Sequence, residues 1–72
     1  MSVARVFELS STSEKSFEDA TLQGIARANK TLRNVTGAWI KDQRVSVEDG
    51  RISNYQVNLM ITFVLDDESS ME

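Results

Sequence analysis

The stretch from Ile52 to Leu65, ISNYQVNLMITFVL, alternates between two kinds of residue along nearly its whole length. Tyr55, Val57, Leu59, Ile61, Phe63 and Leu65 are all apolar. The intervening Asn54, Gln56, Asn58, Met60 and Thr62 are mostly polar, with Val64 the clear exception. A sustained period of two specifies a β-strand, because successive strand side chains point to opposite faces. One face of this strand has to be covered by apolar partners. The other is free to meet water, a ligand or a second subunit, and the function is expected there.

With 72 residues, the chain supplies one domain close to the lower limit for a self-sufficient core. A domain of ~60 residues buries only ~60% of its unfolded surface, so small folds lean on disulfides, metals or partner subunits. Cysteine and histidine are both absent. That removes disulfides, thiolate and imidazole ligands, and the commonest general base. Oligomerisation is the support that remains. A net charge of −3 leaves no basic footprint for nucleic acid. No apolar run approaches the ~18 residues of a membrane span, and no signal-peptide pattern opens the chain. A soluble cytoplasmic protein is expected.

Upstream of the long strand, Val3 to Leu9 (VARVFEL) reads as a first strand and Ser10 to Lys15 (SSTSEK) as a turn. Ser16 suits a helix N-cap with Asp19 three residues on, an acidic variant of the capping box. The helix is expected from Phe17 to Arg33, with Phe17, Thr21, Gly24, Ile25, Ala28 and Leu32 on one face. Small residues Ala20, Gly24 and Ala28 would let that face lie close to a sheet, so Gly24 reads as a packing notch. Asn34 to Gly37 breaks the helix, and Ala38 to Val47 is a second strand. Glu48-Asp49-Gly50-Arg51 follows, and Asp-Gly between two strand patterns is the strongest short hairpin signal.

A two-residue turn at Asp49 and Gly50 sets a register. Val47 would face Ile52, Gln43 would face Gln56, Lys41 would face Asn58, Ile40 would face Leu59, Trp39 would face Met60, Ala38 would face Ile61 and Gly37 would face Thr62. A one-residue slip would invert every side chain. The predicted fold class is α+β with the order β-α-β-β, one helix covering one face of a three-stranded antiparallel sheet. The domain is expected over residues 1–66, followed by an acidic disordered tail over 67–72. Trp39, Lys41, Gln43, Gln56, Asn58 and Met60 would form a mixed face that nothing in the chain can cover.

Chemistry is sparse on this sequence. Gly24, Gly37 and Gly50 are scattered and build no phosphate loop. Glu14, Glu18, Asp19, Glu48 and Asp49 are oxygen ligands of the kind that suit calcium or magnesium, but turn chemistry and helix capping account for all five. No catalytic arrangement emerges, and no enzyme is expected. Trp39 has two readings: it stacks on a flat heterocycle with glutamine amides around the rim, or it plugs a subunit interface. Gln56 likewise either binds a ligand or pairs with Gln43 across the strands.

The order strand, STSEKSFEDA opening a helix, strand, DG turn and NYQVNLMITFVL resembles the dodecins over nearly the whole chain, from about Val3 to Asp66. The resemblance implies a hollow homododecamer with helices outside and sheets facing in. It also implies flavins (riboflavin, FMN or FAD) held in stacked pairs between a tryptophan and a glutamine, without catalysis. Anchored on the DG turn and on YQV, Gln56 matches the flavin-contacting glutamine. The stacking tryptophan aligns with Gly37, and Trp39 lies two residues later, where flavin-binding members usually carry an acid. Two residues along a strand keep the face but move the ring by roughly 6.5 Å. Some dodecin-like proteins with this GAW pattern are associated with cations instead. Two functions are therefore expected of such a shell: flavin storage at Gln56, Trp39 and Gly37, or a flavin-free assembly that binds calcium or magnesium or serves a structural role.

Overall fold

A computed structural model describes residues 3–65. Four elements follow in order: β1 (Ala4–Ser13), α1 (Phe17–Thr31), β2 (Val35–Glu48) and β3 (Arg51–Val64). The strands form one antiparallel sheet in the order β1-β3-β2, so the alternating strand is central. The acidic tail expected over 67–72 lies outside the described residues.

The start of α1 follows its sequence signals closely. Ser16 is the N-cap, and its Oγ accepts a hydrogen bond from the Asp19 backbone N–H at 2.9 Å. The helix ends at Thr31, two residues short of Arg33, with Leu32 as an extended C-cap. Asn34 then adopts φ 61, a left-handed conformation that asparagine tolerates. Its carbonyl accepts from the Val64 N–H at 3.0 Å, which ties the helix exit to the end of β3.

Ala20, Gly24 and Ala28 are the buried residues of the helix, and they lie on Val57, Leu59 and Ile61 of β3, all fully buried. Burying each of these aliphatic side chains is worth roughly 1.5–3 kcal/mol. Phe7, Leu9, Phe17, Ile25, Leu32 and Val35 pack around this cluster. A Cβ on Gly24 would come within 2.7 Å of Leu59 Cδ1 and 3.1 Å of Ser11 Cβ. Gly24 is thus the notch through which helix and sheet approach.

β1 runs four residues beyond its expected end, through Ser10–Ser13, because these residues pair with Asn58 to Tyr55. Tertiary pairing overrides the turn preference of a serine-rich segment. The helix lies over β1 and β3 and scarcely reaches β2. Ile40, paired with the buried Leu59, is 44% exposed, and Val45, Val47 and Ile52 on the protruding hairpin are exposed as well.

The hairpin turn forms as its sequence dictates, with Asp49 at φ 54 and Gly50 at φ 75, the two positive angles of a type I′ turn. The register holds at Val47–Ile52, Ile40–Leu59, Trp39–Met60, Ala38–Ile61 and Gly37–Thr62. Between these blocks it does not. Ser53 bulges out of β3 near the turn, Lys41 bulges out of β2, and Thr36 is a third extra residue near the start of β2. Gln43 therefore faces Val57 rather than Gln56, and Asp42 rather than Lys41 faces Asn58. Each bulge adds one residue to one strand; the one at Lys41 returns the ladder to its original phase, and the one at Thr36 shifts it again at Val35–Phe63.

Candidate functional site

The face of the sheet turned away from α1 has no cover among the described residues. On β3 it presents Asn54, Gln56, Asn58, Met60 and Thr62, the partners of the buried odd positions. β1 adds Glu8, Ser10 and Thr12, and β2 adds Gly37, Trp39, Asp42 and Arg44.

Two zones divide this face. Around Met60, Trp39 flanks on the β2 side and Glu8 on the β1 side. Trp39 is 52% exposed, a large apolar residue left half open among the described residues. Lys41, freed from the ladder by its bulge, reaches across the central strand to Glu8, Nζ to Oε1 3.4 Å. Both side chains are about half exposed, so the pair contributes under ~1 kcal/mol and mainly restrains the lysine.

The second zone is a polar row across all three strands. Ser10 Oγ donates to Asn58 Oδ1 at 2.5 Å, and Asn58 Nδ2 donates to Asp42 Oδ1 at 2.5 Å. Gln56 Nε2 also donates to Asn58 Oδ1, at 3.4 Å. Arg44 is the residue directly across from Gln56.

The three residues singled out in the sequence all lie on this face, but one protomer does not bring them together. Trp39 pairs with Met60, four residues along β3 from Gln56. At ~3.3 Å per residue that separation is roughly 13 Å. Gly37, opposite Thr62, is farther still from Gln56. The expected rim of Gln43 and Gln56 around Trp39 is absent; Met60 is the ring's cross-strand neighbour. The expected Gln43–Gln56 pair is lost in the shifted block between the Ser53 and Lys41 bulges, so Gln56 finds Asn58 instead. At Gly37, an added Cβ would meet nothing within 4 Å and no positive φ demands glycine. Sequence reasoning missed the roles of Asp42 and Ser10, whose only signal was their polarity beside an uncertain register.

Two of the acidic residues weighed as cation ligands, Asp19 and Asp49, have structural roles. Asp19 lies in the first turn of α1, where its Oδ2 accepts from Ser13 Oγ and Gln23 Nε2, each at 2.6 Å. The Ser13 hydrogen bond, joined by that of Gln23 and the charge of Lys15, lowers its carboxyl below the ordinary value against a smaller cost of desolvation. Asp49 occupies the hairpin turn. Among the described residues, no group of three or more acids converges on a point that could hold a metal ion. Nor, among them, is any helix long and apolar enough to cross a membrane.

A family model described as Dodecin matches residues 3–66. A dodecin of Thermus thermophilus is 35% identical over 65 residues, covering 90% of this chain and 94% of that protein. Among solved structures, an arginine-to-alanine mutant of the T. thermophilus dodecin is similar with a TM-score of 0.88 at 34% identity, over 93% of this chain and 98% of the other. The dodecin of Streptomyces coelicolor gives 0.87 at 30% identity, over 92% and 94%. A calcium-chelating antigen of Mycobacterium tuberculosis, described as a calcium dodecin, gives 0.75 at 27% identity, over 85% and 87%. With its β-α-β-β order, its single helix on one sheet face and a family match from residue 3 to residue 66, the chain belongs to the dodecin family.

Proposed function

We propose that twelve copies of this chain form a hollow cytoplasmic shell that binds and stores flavin without covalent attachment or turnover. The observation that carries this reading is the uncovered sheet face, where an exposed tryptophan and a row of side-chain amides share one surface. Exposed apolar surface on the hairpin at Ile40, Val45, Val47 and Ile52 supports association, since a small protomer gains stability by covering it. Membership of the dodecin family supports both the assembly and the ligand class.

The roughly 13 Å between Trp39 and Gln56 bears on how such a site is built. A flavin stacked on Trp39 reaches a glutamine most directly if the amide comes from a second copy. In this arrangement Trp39 supplies the stacking surface, Gln56 reads the polar edge of the ring, and Gly37 leaves room beside it. Riboflavin, FMN and FAD share that ring system. Equilibrium dialysis of riboflavin against the intact oligomer tests the reading: saturable binding supports it, and none at micromolar flavin refutes it.

A second reading is favoured by one specific relative, the calcium dodecin of M. tuberculosis. A shell that bound calcium or magnesium in place of flavin would draw its acidic ligands from several copies meeting at a symmetry axis, with Trp39 filling space in the interface. Calcium retained by a colourless oligomer after exhaustive dialysis distinguishes this reading from the first.

A further inference from the structure

The polar row Ser10–Asn58–Asp42 has a direction, and the direction ends at Gln56. A carboxylate carries no hydrogen to donate, so the group that Asn58 turns toward Asp42 has to be its NH2. That orientation sends Asn58 Oδ1 the other way, toward the Ser10 hydroxyl and the Gln56 amide. An oxygen so placed only accepts, so Gln56 presents its Nε2 to it. One carboxylate on β2 thereby fixes which end of two successive amides points where. Gln56 Oε1 is left without a partner among the described residues, and one Nε2 hydrogen is not used by the bond to Asn58. The glutamine keeps one acceptor and one donor for a ligand.

We propose that Asp42 is a positioning residue that acts through Asn58 to set the polarity with which Gln56 meets its ligand, and that the pair of groups so presented reads an imide edge. An imide offers an N–H flanked by carbonyl oxygens. The N–H donates to Gln56 Oε1 while the second Nε2 hydrogen donates to a neighbouring carbonyl. This inference rests on the flavin reading above, because the pyrimidine edge of the flavin ring has this pattern, with its N–H at N3. Ser10 holds the Asn58 carbonyl from the far side and keeps the amide from swinging out of the row.

The test compares riboflavin with N3-methylriboflavin, in which a methyl group replaces the imide hydrogen, on the assembled oligomer. The wild-type shell is expected to prefer riboflavin by about tenfold, the usual scale for leaving one sequestered acceptor unpaired. In Asp42→Asn the new amide can turn either end toward Asn58, the row loses its polarity, and the preference falls below about threefold. Asp42→Glu, which keeps a carboxylate, restores most of it. A purely structural role for Asp42 would weaken both flavins equally and leave their ratio unchanged; that result overturns the proposal while the flavin reading stands. Equal affinity of the two flavins for the wild-type shell also overturns it. Binding of neither flavin by an intact wild-type oligomer overturns the flavin reading, and this inference with it.

Discussion

Trp39 of β2 stands directly across from Met60 of β3, four residues along the strand from Gln56. The stacking surface and the hydrogen-bonding amide of the proposed flavin site are therefore separate features of one sheet face. Neither depends on the other for its position: the i, i+2 alternation of β3 places Gln56, and the hairpin register places Trp39.

Trp39→Ala is expected to leave the protomer fold intact, since the exposed ring packs on nothing in the core, and surface changes of this kind shift stability within about 0.5 kcal/mol. Flavin affinity should fall by ~tenfold or more as the stacking surface is lost. Circular dichroism and a binding isotherm check both halves. Unchanged affinity would remove Trp39 from the site, and loss of the oligomer with loss of calcium would favour the interface reading.

Gly24→Ala and Gly37→Ala should move stability in opposite directions. At Gly24 the added Cβ collides with the buried Leu59 side chain and crowds Ser11 Cβ. Overpacking costs of ~1–3 kcal/mol exceed the ~1 kcal/mol gained in helix propensity, so a net loss follows. At Gly37 the Cβ meets open space, and replacing a strand glycine gains roughly 0.5 kcal/mol. Urea midpoints of the two variants provide the comparison. A marked loss in Gly37→Ala accompanied by dissociation would mean that another copy approaches this backbone closely.

Asp19 gives a pH dependence of known sign. Its carboxyl is held below its ordinary value of 3.8, chiefly by the Ser13 hydrogen bond. A depressed acid favours the folded state at pH above the unfolded value, and that contribution fades as the pH falls through the lower folded value. The stability gap between wild type and Asp19→Asn should therefore be constant from pH 7 to about 5 and narrow below pH 4. Ser13→Ala should raise the Asp19 carboxyl toward its ordinary value, which carboxyl NMR titration would detect. A gap that widens in acid would contradict this account.

Most of the fold was legible because its signals are local. The Asp49-Gly50 turn requires two positive φ angles, the Ser16 cap satisfies a specific backbone N–H, and the odd positions of β3 have one face to bury. Gly24 was legible as a packing notch because an interior helix glycine has few other reasons to exist. The bulges were not legible. A period-of-two pattern contains no mark at Lys41 or Ser53, since a bulge answers to the twist of the assembled sheet rather than to the residue that bulges. That single gap had a large effect on the candidate site. It moved Gln43 to the opposite face, installed Asp42 beside Asn58, and dissolved the amide rim expected around Trp39. The continuation of β1 through Ser10–Ser13 was hidden for a related reason, since its strand character comes from pairing with β3.

The measurement that bears most directly on the central claim is a fluorescence titration of riboflavin with the assembled, flavin-free oligomer, its mass verified beforehand. Stacking on Trp39 should quench flavin emission in a saturable way at a fixed ratio of flavin to subunit, and Trp39→Ala should abolish the quenching. Undiminished riboflavin emission over an intact wild-type shell would contradict the account, leaving a dodecin architecture that does not hold flavin.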